Sequence, residues 1–210
     1  MTGFFEVGKG GAPRVELDEV ERSILRSLAV QLMELIGPGS RPAEEDGAAP
    51  SDDPFERLMQ EMQDTPDGPV ERPTDPALAR LFPDAYGEPG RAEDVDSDSE
   101  TAARAAEFRK YTEPDLRQRK RDDALALIRT LDGARTKRNG HAIVELDEDD
   151  SRRWLGTLND LRLTLGSRLD VSEDDDRAYR MPDTDPDKPL MMAYLWLGGL
   201  QETLVGAMMG

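Results

Sequence analysis

Residues 148–170 read EDDSRRWLGTLNDLRLTLGSRLD, and this stretch carries the clearest helical pattern of the chain. That pattern consists of large apolar side chains that recur every three or four residues, at Trp154, Leu158, Leu161, Leu165 and Leu169. Such spacing places them on one face of an α-helix. The four acids before Ser151 suit a helix start, where side-chain oxygens cap exposed N–H groups and negative charge is favoured. We therefore predict a long amphipathic helix whose apolar face is buried.

The segment WLGTLND (154–160) has an echo in WLGGLQE (196–202). Glycine inside a helix costs up to about 1 kcal/mol relative to alanine, so its use in both phrases favours the close approach of another backbone. We therefore interpret them as two helices that solve one packing problem, with Trp154 and Trp196 buried. Asn159 and Arg162 lie one turn apart beside this apolar stripe. If both are partly buried they need partners, which either the fold or a ligand supplies.

Helical spacing also marks the other core elements. The predicted central helices cover 18–36, 113–132, 148–170 and 189–209. In the first of them, Asp18 and Glu21 form a capping box ahead of a wide apolar arc that begins at Val20. In the second, we expect Thr112 as the N-cap and Pro114 in the first turn, after a separate helix that ends near residue 110.

Together these elements predict an all-α fold, an irregular bundle of five or six helices in a single domain over residues 1–210. Short helices are expected to begin at Pro54 and Pro76. The segment HAIVEL (141–146) has strong β-propensity, but one isolated strand makes no sheet, so we expect an extended connector or a marginal hairpin edge. The chain also contains acidic, low-complexity insertions that are predicted to be disordered loops, near 38–53, 87–98 and 172–187.

Composition limits the possible functions. The chain has a formal net charge of −18 and no cysteine. The lack of cysteine excludes disulfides, thiol nucleophiles and thiolate metal sites. The negative charge disfavours nucleic acid and anionic lipid as partners of the whole surface. No basic region followed by a long apolar run marks a signal peptide, and the most apolar segment is interrupted at Gln201 and Glu202 before it could span a membrane. We therefore expect a cytoplasmic protein.

No motif in the sequence indicates catalysis. Two aspartate triplets resemble the start of a calcium loop but lack its turn glycine, namely Asp94, Asp96, Asp98 and Asp183, Asp185, Asp187. The single histidine, His141, has no metal ligands at suitable spacing and no nucleophile motif, so a surface or capping role is favoured. GKGG at 8–11 lacks the spacing of a phosphate-binding loop. We predict that the protein is not an enzyme and uses no metal and no cofactor.

Residues 104–138 contain eleven bases and six acids, a local excess of five positive charges in an acidic chain. One interpretation is a docking face for an acidic protein partner, a phosphate ligand or a nucleic acid. The interpretation we favour is a solvated helix face whose arginines pair with the protein's own acidic loops. The candidate partner-binding residues from this segment and from the flank of the Trp154 stripe are Arg109, Arg117, Arg119, Lys120, Arg121, Asn159 and Arg162.

Several phrases of the sequence together resemble an actinobacterial family, the domain-of-unknown-function family number two thousand and seventeen. They are ERSILRSLAVQLMELIG, DPALARLFPDAY, AEFRKYTEPDLRQRK, WLGTLNDLRLTLGSRLDV and WLGGLQETL. The resemblance implies an all-helical cytoplasmic protein without assigned activity. It also implies genes that lie near that of the Clp protease adaptor ClpS and near a metalloprotease and sulfur-carrier pathway for cysteine synthesis. Some relatives carry a transcriptional-regulator label.

Two functional hypotheses follow. The first is a non-catalytic interaction or regulatory protein that acts by docking to another protein, with a link to Clp proteolysis through the resemblance alone. The second is a nucleic-acid-binding transcription regulator that uses the basic segment 104–138, although the overall charge opposes it. The sequence does not indicate the identity of the partner or the oligomeric state.

Overall fold

The structure is a computed structural model that describes residues 3–37, 72–83, 100–171 and 180–210. Several sequence predictions lie outside these residues. They are the helix expected from Pro54, the acidic insertions at 38–53 and 87–98, the first half (172–179) of the insertion at 172–187, and the triplet of Asp94, Asp96 and Asp98.

The described residues form five helices and four strands. In chain order they are β1 (Glu6–Val7), β2 (Pro13–Leu17), α1 (Glu19–Ile36), α2 (Pro76–Leu81), α3 (Glu100–Asp132), β3 (Arg135–Thr136), β4 (Ala142–Glu145), α4 (Glu148–Leu169) and α5 (Lys188–Met209). The strands form one antiparallel sheet in the order β1-β2-β4-β3. The prediction of an all-α fold is therefore only partly right, because helices dominate but a small sheet accompanies them.

The sheet exists because an N-terminal segment supplies the partner that HAIVEL needs. Side chains of β2 alternate between buried and half-buried, which is typical of a strand with one face on a core. Val15 lies opposite Val144 and Leu17 lies opposite Ala142, and all four side chains are almost fully buried. β4 is thus a central strand, and the expectation of a connector or a hairpin edge is wrong.

The glycines at 8–11 form the turn between β1 and β2. The amide of Gly8 donates to the carbonyl oxygen of Ala12 at 2.8 Å, and Gly11 donates to Gly8 at 3.2 Å. Gly10 and Gly11 have φ angles of 95° and 86°, a region that side chains other than glycine rarely adopt. The GKGG phrase is therefore a hairpin turn.

α1 begins at the capping box that the sequence predicts. The amide of Glu21 donates to Asp18 Oδ1 at 2.7 Å, and the amide of Asp18 donates to Glu21 Oε2 at 3.1 Å. The predicted apolar arc is wider than the buried face, because Val20 is 65% exposed. The side chains of α1 that are fully buried are Leu25, Ala29, Leu32 and Ile36.

α3 runs without a break through Pro114, so the prediction of two helices with Thr112 as an N-cap is wrong. Proline inside a helix lacks the N–H that would bond to the preceding turn. Just before the proline, the Thr112 hydroxyl donates to the carbonyl oxygen of Phe108, one turn back. Arg117 spans the proline with an ion pair to Glu113 at 2.6 Å. These contacts support the helix where the local sequence pattern predicts a boundary.

α4 and α5 match the predicted helices 148–170 and 189–209 closely. Asp147 caps α4 by accepting the amide of Asp150 at 2.8 Å. α4 ends where Asp170 adopts a left-handed conformation, with a φ of 49°. None of the helices in the described ranges combines the length and the apolar character that crossing a membrane requires.

The chain divides into two compact units, one of residues 1–35 and 120–210 and the other of residues 36–119. The first unit holds the sheet and the α4–α5 pair. Both the sheet region and the long helices contribute to its core. The large side chains that are fully buried in this unit are Leu17, Leu25, Leu32, Leu127, Leu131, Leu146, Trp154, Leu158, Leu197 and Leu200. The second unit includes α2, where Asp75 caps the helix by accepting the amides of Ala77 and Leu78.

Candidate functional site

The two tryptophan phrases lie on α4 and α5, which make the most extensive contact between any two described elements. Trp154 is fully buried. Its indole Nε1 donates to the Thr130 hydroxyl of α3 at 2.8 Å, and the ring of Phe5 meets it edge to face with centroids 5.6 Å apart. The indole therefore satisfies its one polar group inside the core, as a structural tryptophan does.

Trp196 is also buried, with 4% of its surface exposed. Its Nε1 donates to the carbonyl oxygen of Gly3 at 3.3 Å. Gly3 itself donates to the carboxylate of Glu21, and the amide of Phe5 donates to Thr203 of α5. The N-terminal segment is thus held against α5 by hydrogen bonds. The burial of both tryptophans confirms the core assignment made from the sequence.

The glycines of the two phrases pack against side chains of neighbouring residues rather than against another backbone. A Cβ at Gly156 would lie 3.3 Å from a carboxylate oxygen of Asp123, and one at Gly198 would lie 3.5 Å from Nε of Arg162. A Cβ at Gly199 would lie only 2.5 Å from the ring of Phe4. The expectation of a close backbone contact is therefore wrong, although the glycines do make room for neighbours.

Arg162 projects from α4 onto α5. Its Nη1 donates to Oε1 of Gln201 at 2.7 Å, and its Cζ lies 5.3 Å from the centre of the Tyr194 ring. The Nε atom is buried and has no hydrogen-bond partner among the described residues. Gln201 is the amide that ends the second tryptophan phrase. The fold thus supplies a partner for Arg162, one of the two alternatives that the sequence leaves open.

Asn159 has a different environment. Its side chain is exposed, so it needs no partner from the protein, contrary to the expectation that it is partly buried. Of the two polar residues beside the Trp154 stripe, only Arg162 is built into the helix contact.

We expect Arg162→Ala to lower the free energy of unfolding by about 1–3 kcal/mol, because it removes a charged hydrogen bond and leaves the Gln201 amide without its donor. The matched control is Asn159→Ala on the same helix, which should change that free energy by no more than about 0.5 kcal/mol. Urea unfolding followed by circular dichroism measures both. Equal effects of the two substitutions would contradict the environments described for them.

Lys120 lies in the part of the basic segment 104–138 that belongs to the first unit, and its side chain is largely buried. Its Nζ lies 2.6 Å from Oδ1 of Asp160 on α4, and the two side chains are 15% and 4% exposed. The hydroxyl of Thr164 donates to the carbonyl oxygen of Asp160 one turn later. The sequence pattern did not indicate Asp160 as a partner, because the pair joins two helices that are distant along the chain.

Two arginines of the segment bind the last turn of α1. Nη1 of Arg121 donates to the carbonyl oxygen of Met33 at 3.0 Å, within the first unit. In the second unit, Arg117 donates to the carbonyl oxygen of Ile36 and lies 4.4 Å above the Phe82 ring. Cations at the C-terminal end of a helix complement its dipole and its unpaired carbonyl groups.

The other two bases of the candidate set differ in burial. Arg119 is exposed, whereas Arg109 is 8% exposed and makes an interaction inside the chain. For four of the seven candidates, Arg117, Lys120, Arg121 and Arg162, the structure identifies the partner within the fold. The partners that the structure describes for these four lie on helices or in a helix end.

The single histidine faces an ion cluster on the sheet. Nδ1 of His141 lies 3.3 Å from Oε1 of Glu16. The other carboxylate oxygen of Glu16 accepts a hydrogen bond from the ammonium group of Lys137. Nη2 of Arg14 lies 4.0 Å from the same carboxylate. The hydrogen bond from Lys137 holds the pKa of Glu16 below its usual value.

The Glu16 cluster should make the stability of the fold sensitive to acid. A folded-state pKa below the unfolded one gives stabilisation that is complete above the unfolded pKa and is lost as the pH falls toward the folded pKa. We therefore expect wild type to lose more stability than Glu16→Gln between about pH 6 and pH 3 in urea titrations. Glu145→Gln on β4 is the control and should keep the wild-type acid sensitivity. An identical pH dependence for wild type and Glu16→Gln would contradict the role given to this carboxylate.

Neither the cavity nor the aspartate triplet of the described residues contains any of the candidate partner-binding residues. A cavity of about 330 Å³ lies between the end of α3 and β4, lined by Thr130 and by residues 133–135 and 143–145. In the triplet at 183–187, Asp183 pairs with Lys188 at 2.6 Å, which lowers the pKa of Asp183. Within the parts of the chain that the structure describes, no three His, Asp or Glu side chains converge as metal ligands.

Comparison with known proteins gives a family for the whole chain. The family described as "Domain of unknown function (DUF2017)" matches residues 1–208. The chain belongs to this family. The resemblance stated from the sequence is thereby confirmed, whereas the gene neighbourhood that it implies stays a prediction.

Relatives of this DUF2017 member occur in mycobacteria. Proteins named "Oxidative stress regulator AosR" from Mycobacterium bovis and Mycobacterium tuberculosis are each 32% identical over 210 residues, which cover 98% of this chain and 86% of the relative. A relative from Mycobacterium leprae is 35% identical over 149 residues, 68% of this chain and 62% of its own length. No solved structure matches the chain.

Proposed function

We propose that this DUF2017 member is a non-catalytic, cytoplasmic regulator of the response to oxidative stress that acts by contact with another protein. The observation that carries the proposal is its 32% identity to proteins named "Oxidative stress regulator AosR" over 98% of its length. A match that covers the whole chain supports the transfer of a regulatory role better than a match to one segment does.

The side chains of the described residues support a role without catalysis. The chain has no thiol nucleophile because it contains no cysteine. Its only imidazole lies beside the Glu16 carboxylate, which Lys137 also binds. Among the conspicuous bases, Lys120 and Arg162 are held by Asp160 and Gln201. The polar groups that first suggest chemistry are thus used to join elements of the fold.

The charge of the chain supports a protein partner over a nucleic acid. The net charge of −18 opposes binding to a polyanion. The basic segment 104–138 also forms ion pairs and hydrogen bonds within the chain, through Arg117, Lys120 and Arg121. A nucleic-acid-binding regulator stays the alternative, and it predicts a salt-dependent gel shift that disappears when these three bases and Arg119 are changed to Glu. The link to Clp proteolysis is a further prediction, which affinity capture with the ClpS adaptor as probe would test.

A deletion strain tests the proposed function directly. We expect loss of the gene to remove part of the transcript change that hydrogen peroxide induces, and to lower survival after peroxide treatment. Complementation with the wild-type chain should restore both. The matched complementation with Asn159→Ala and with Arg119→Glu asks whether these two exposed candidates contact the partner, since neither change should disturb folding. A peroxide response that is the same with and without the gene would contradict the proposal.

A further inference from the structure

α5 carries oxidisable sulfur atoms on the surface of the folded chain. It contains four of the nine methionines. Met192, Met208 and Met209 expose 46%, 37% and 84% of their surface, whereas the adjacent Met191 exposes 3%. The helix therefore presents three thioethers to solvent and keeps a fourth inside the core.

α5 itself, which carries these methionines, is nearly uncharged. Lys188 and Glu202 are the only charged residues of α5. Leu195 and Val205 are also among its exposed large apolar side chains, at 40% and 37%. In a chain of which 34% is charged, this helix surface has an unusual composition, and its apolar character depends in large part on methionine.

Composition restricts how this chain can respond to an oxidant. Reversible oxidation of cysteine is impossible because there is no cysteine. Methionine is a second side chain whose oxidation is reversible in cells, through sulfoxide reductases. Both tryptophans are buried. A peroxide that approaches α5 therefore meets the three exposed thioethers and not the indole of Trp196.

We propose that Met192, Met208 and Met209 are the oxidation sites through which this chain responds to peroxide, an inference that rests on the proposed role in oxidative stress. In the reaction the thioether sulfur attacks one oxygen of a hydroperoxide, the O–O bond breaks and an S–O bond forms. Sulfur loses two electrons and becomes a sulfoxide, while the proton of the attacked oxygen passes to the second oxygen, which leaves as water or, from an organic peroxide, as an alcohol. No other co-reactant is needed.

Oxidation at these positions would change a surface and leave the core intact. A sulfoxide is polar where the thioether is apolar, so the outer face of α5 would lose much of its apolar character. The inward side of the same helix, with Trp196 and Leu200, would keep its packing because its side chains are buried. The modification is therefore suited to a reversible signal.

The chemical part of the test uses the purified full chain and hydrogen peroxide. Peptide mass spectrometry should show Met192, Met208 and Met209 gaining one oxygen atom at peroxide concentrations that leave Met191 unmodified. Retention in hydrophobic-interaction chromatography should fall in step with this gain. Oxidation of Met191 at the same concentrations as Met192 would overturn the inference, because it would mean that the fold does not select the exposed sulfurs.

The functional part uses the deletion strain complemented with variants of the full chain. The triple change of Met192, Met208 and Met209 to Leu keeps an apolar surface that cannot be oxidised, and the matched triple change to Gln imitates the polar sulfoxide. We expect the Leu variant to lose the peroxide-induced transcript change and the Gln variant to show it without peroxide. Met191→Leu is the control and should respond like wild type. The three single Leu variants carry the same test if the triple variant loses its native circular dichroism.

The outcomes distinguish this inference from the proposed function. A peroxide response that does not need the gene at all contradicts both. A response that needs the gene but survives in the folded Leu variant contradicts the methionine sites and leaves the regulatory role standing. A response that is lost in the Leu variant and constitutive in the Gln variant supports the inference.

Discussion

Trp154→Ala should lower the free energy of unfolding by about 4 kcal/mol, within the range found for large-to-small changes of buried aromatic residues. Trp154 is fully buried, packs edge to face with Phe5 and donates to the Thr130 hydroxyl. The truncation would remove apolar contacts, an aromatic pair and one hydrogen bond at a point where the N-terminal segment, α3 and α4 meet. Against a typical domain stability of about 5–15 kcal/mol, the variant should be only marginally folded.

Two controls separate these contributions, and urea unfolding followed by circular dichroism measures all three variants. Trp154→Phe keeps most of the ring and loses only the N–H, so it should cost less than the alanine variant. Thr130→Val keeps the indole but removes its acceptor, which should cost about 1–3 kcal/mol for a buried unpaired donor. Native tryptophan fluorescence should be blue-shifted, because both indoles are buried. A loss below about 1 kcal/mol for Trp154→Ala would contradict the core position of this side chain.

Lys120→Met should cost about 3–5 kcal/mol, because it removes the cation that lies 2.6 Å from the buried carboxylate of Asp160. Breaking a buried ion pair from one side is expensive, since the remaining charge keeps its desolvation penalty. From the sequence, the same residue was one of the candidates for contact with a partner. Unchanged stability together with a lost peroxide response would favour that earlier interpretation.

The double variant Lys120→Met with Asp160→Leu is the matched control for the charge pair. Replacing both members of a buried pair by apolar side chains of similar volume is often nearly neutral or stabilising. We therefore expect the double variant to recover most of the stability that Lys120→Met loses. Thermal unfolding at neutral pH compares four proteins: wild type, Lys120→Met, Asp160→Leu and the double variant. A double variant that is less stable than either single variant would indicate that the pair serves the fold through more than its charges.

The parts of the fold that could be predicted from the sequence are those that local patterns determine. Capping at Asp18 and Asp147 and apolar spacing defined the starts and faces of long helices, and both tryptophans were correctly placed in the core. The sheet could not be predicted in this way, because β2 and β4 pair across most of the chain and each strand alone is short. Pro114 misled the prediction because contacts of neighbouring residues support the helix on both sides of it.

The candidate site shows the same division between local and distant information. The basic segment was evident from charge alone, and Arg162 was evident from its position beside an apolar stripe. Their partners, Asp160 and Gln201, lie on other helices, and no spacing rule connects a side chain to a residue across the core. The methionines of α5 could not be selected as oxidation sites from the sequence, because only the structure shows that Met192 is exposed while the adjacent Met191 is buried.

A double-mutant cycle of Arg162 and Gln201 tests most directly whether the fold, rather than a ligand, is the partner of the most conspicuous polar residue of the tryptophan helices. Urea unfolding of wild type, Arg162→Ala, Gln201→Ala and the double variant gives the coupling energy between the two side chains. For a hydrogen bond of 2.7 Å to a charged donor we predict a favourable coupling of about 1–2 kcal/mol. Effects that add to within about 0.3 kcal/mol would contradict the contact and would return Arg162 to the set of residues that could bind a partner.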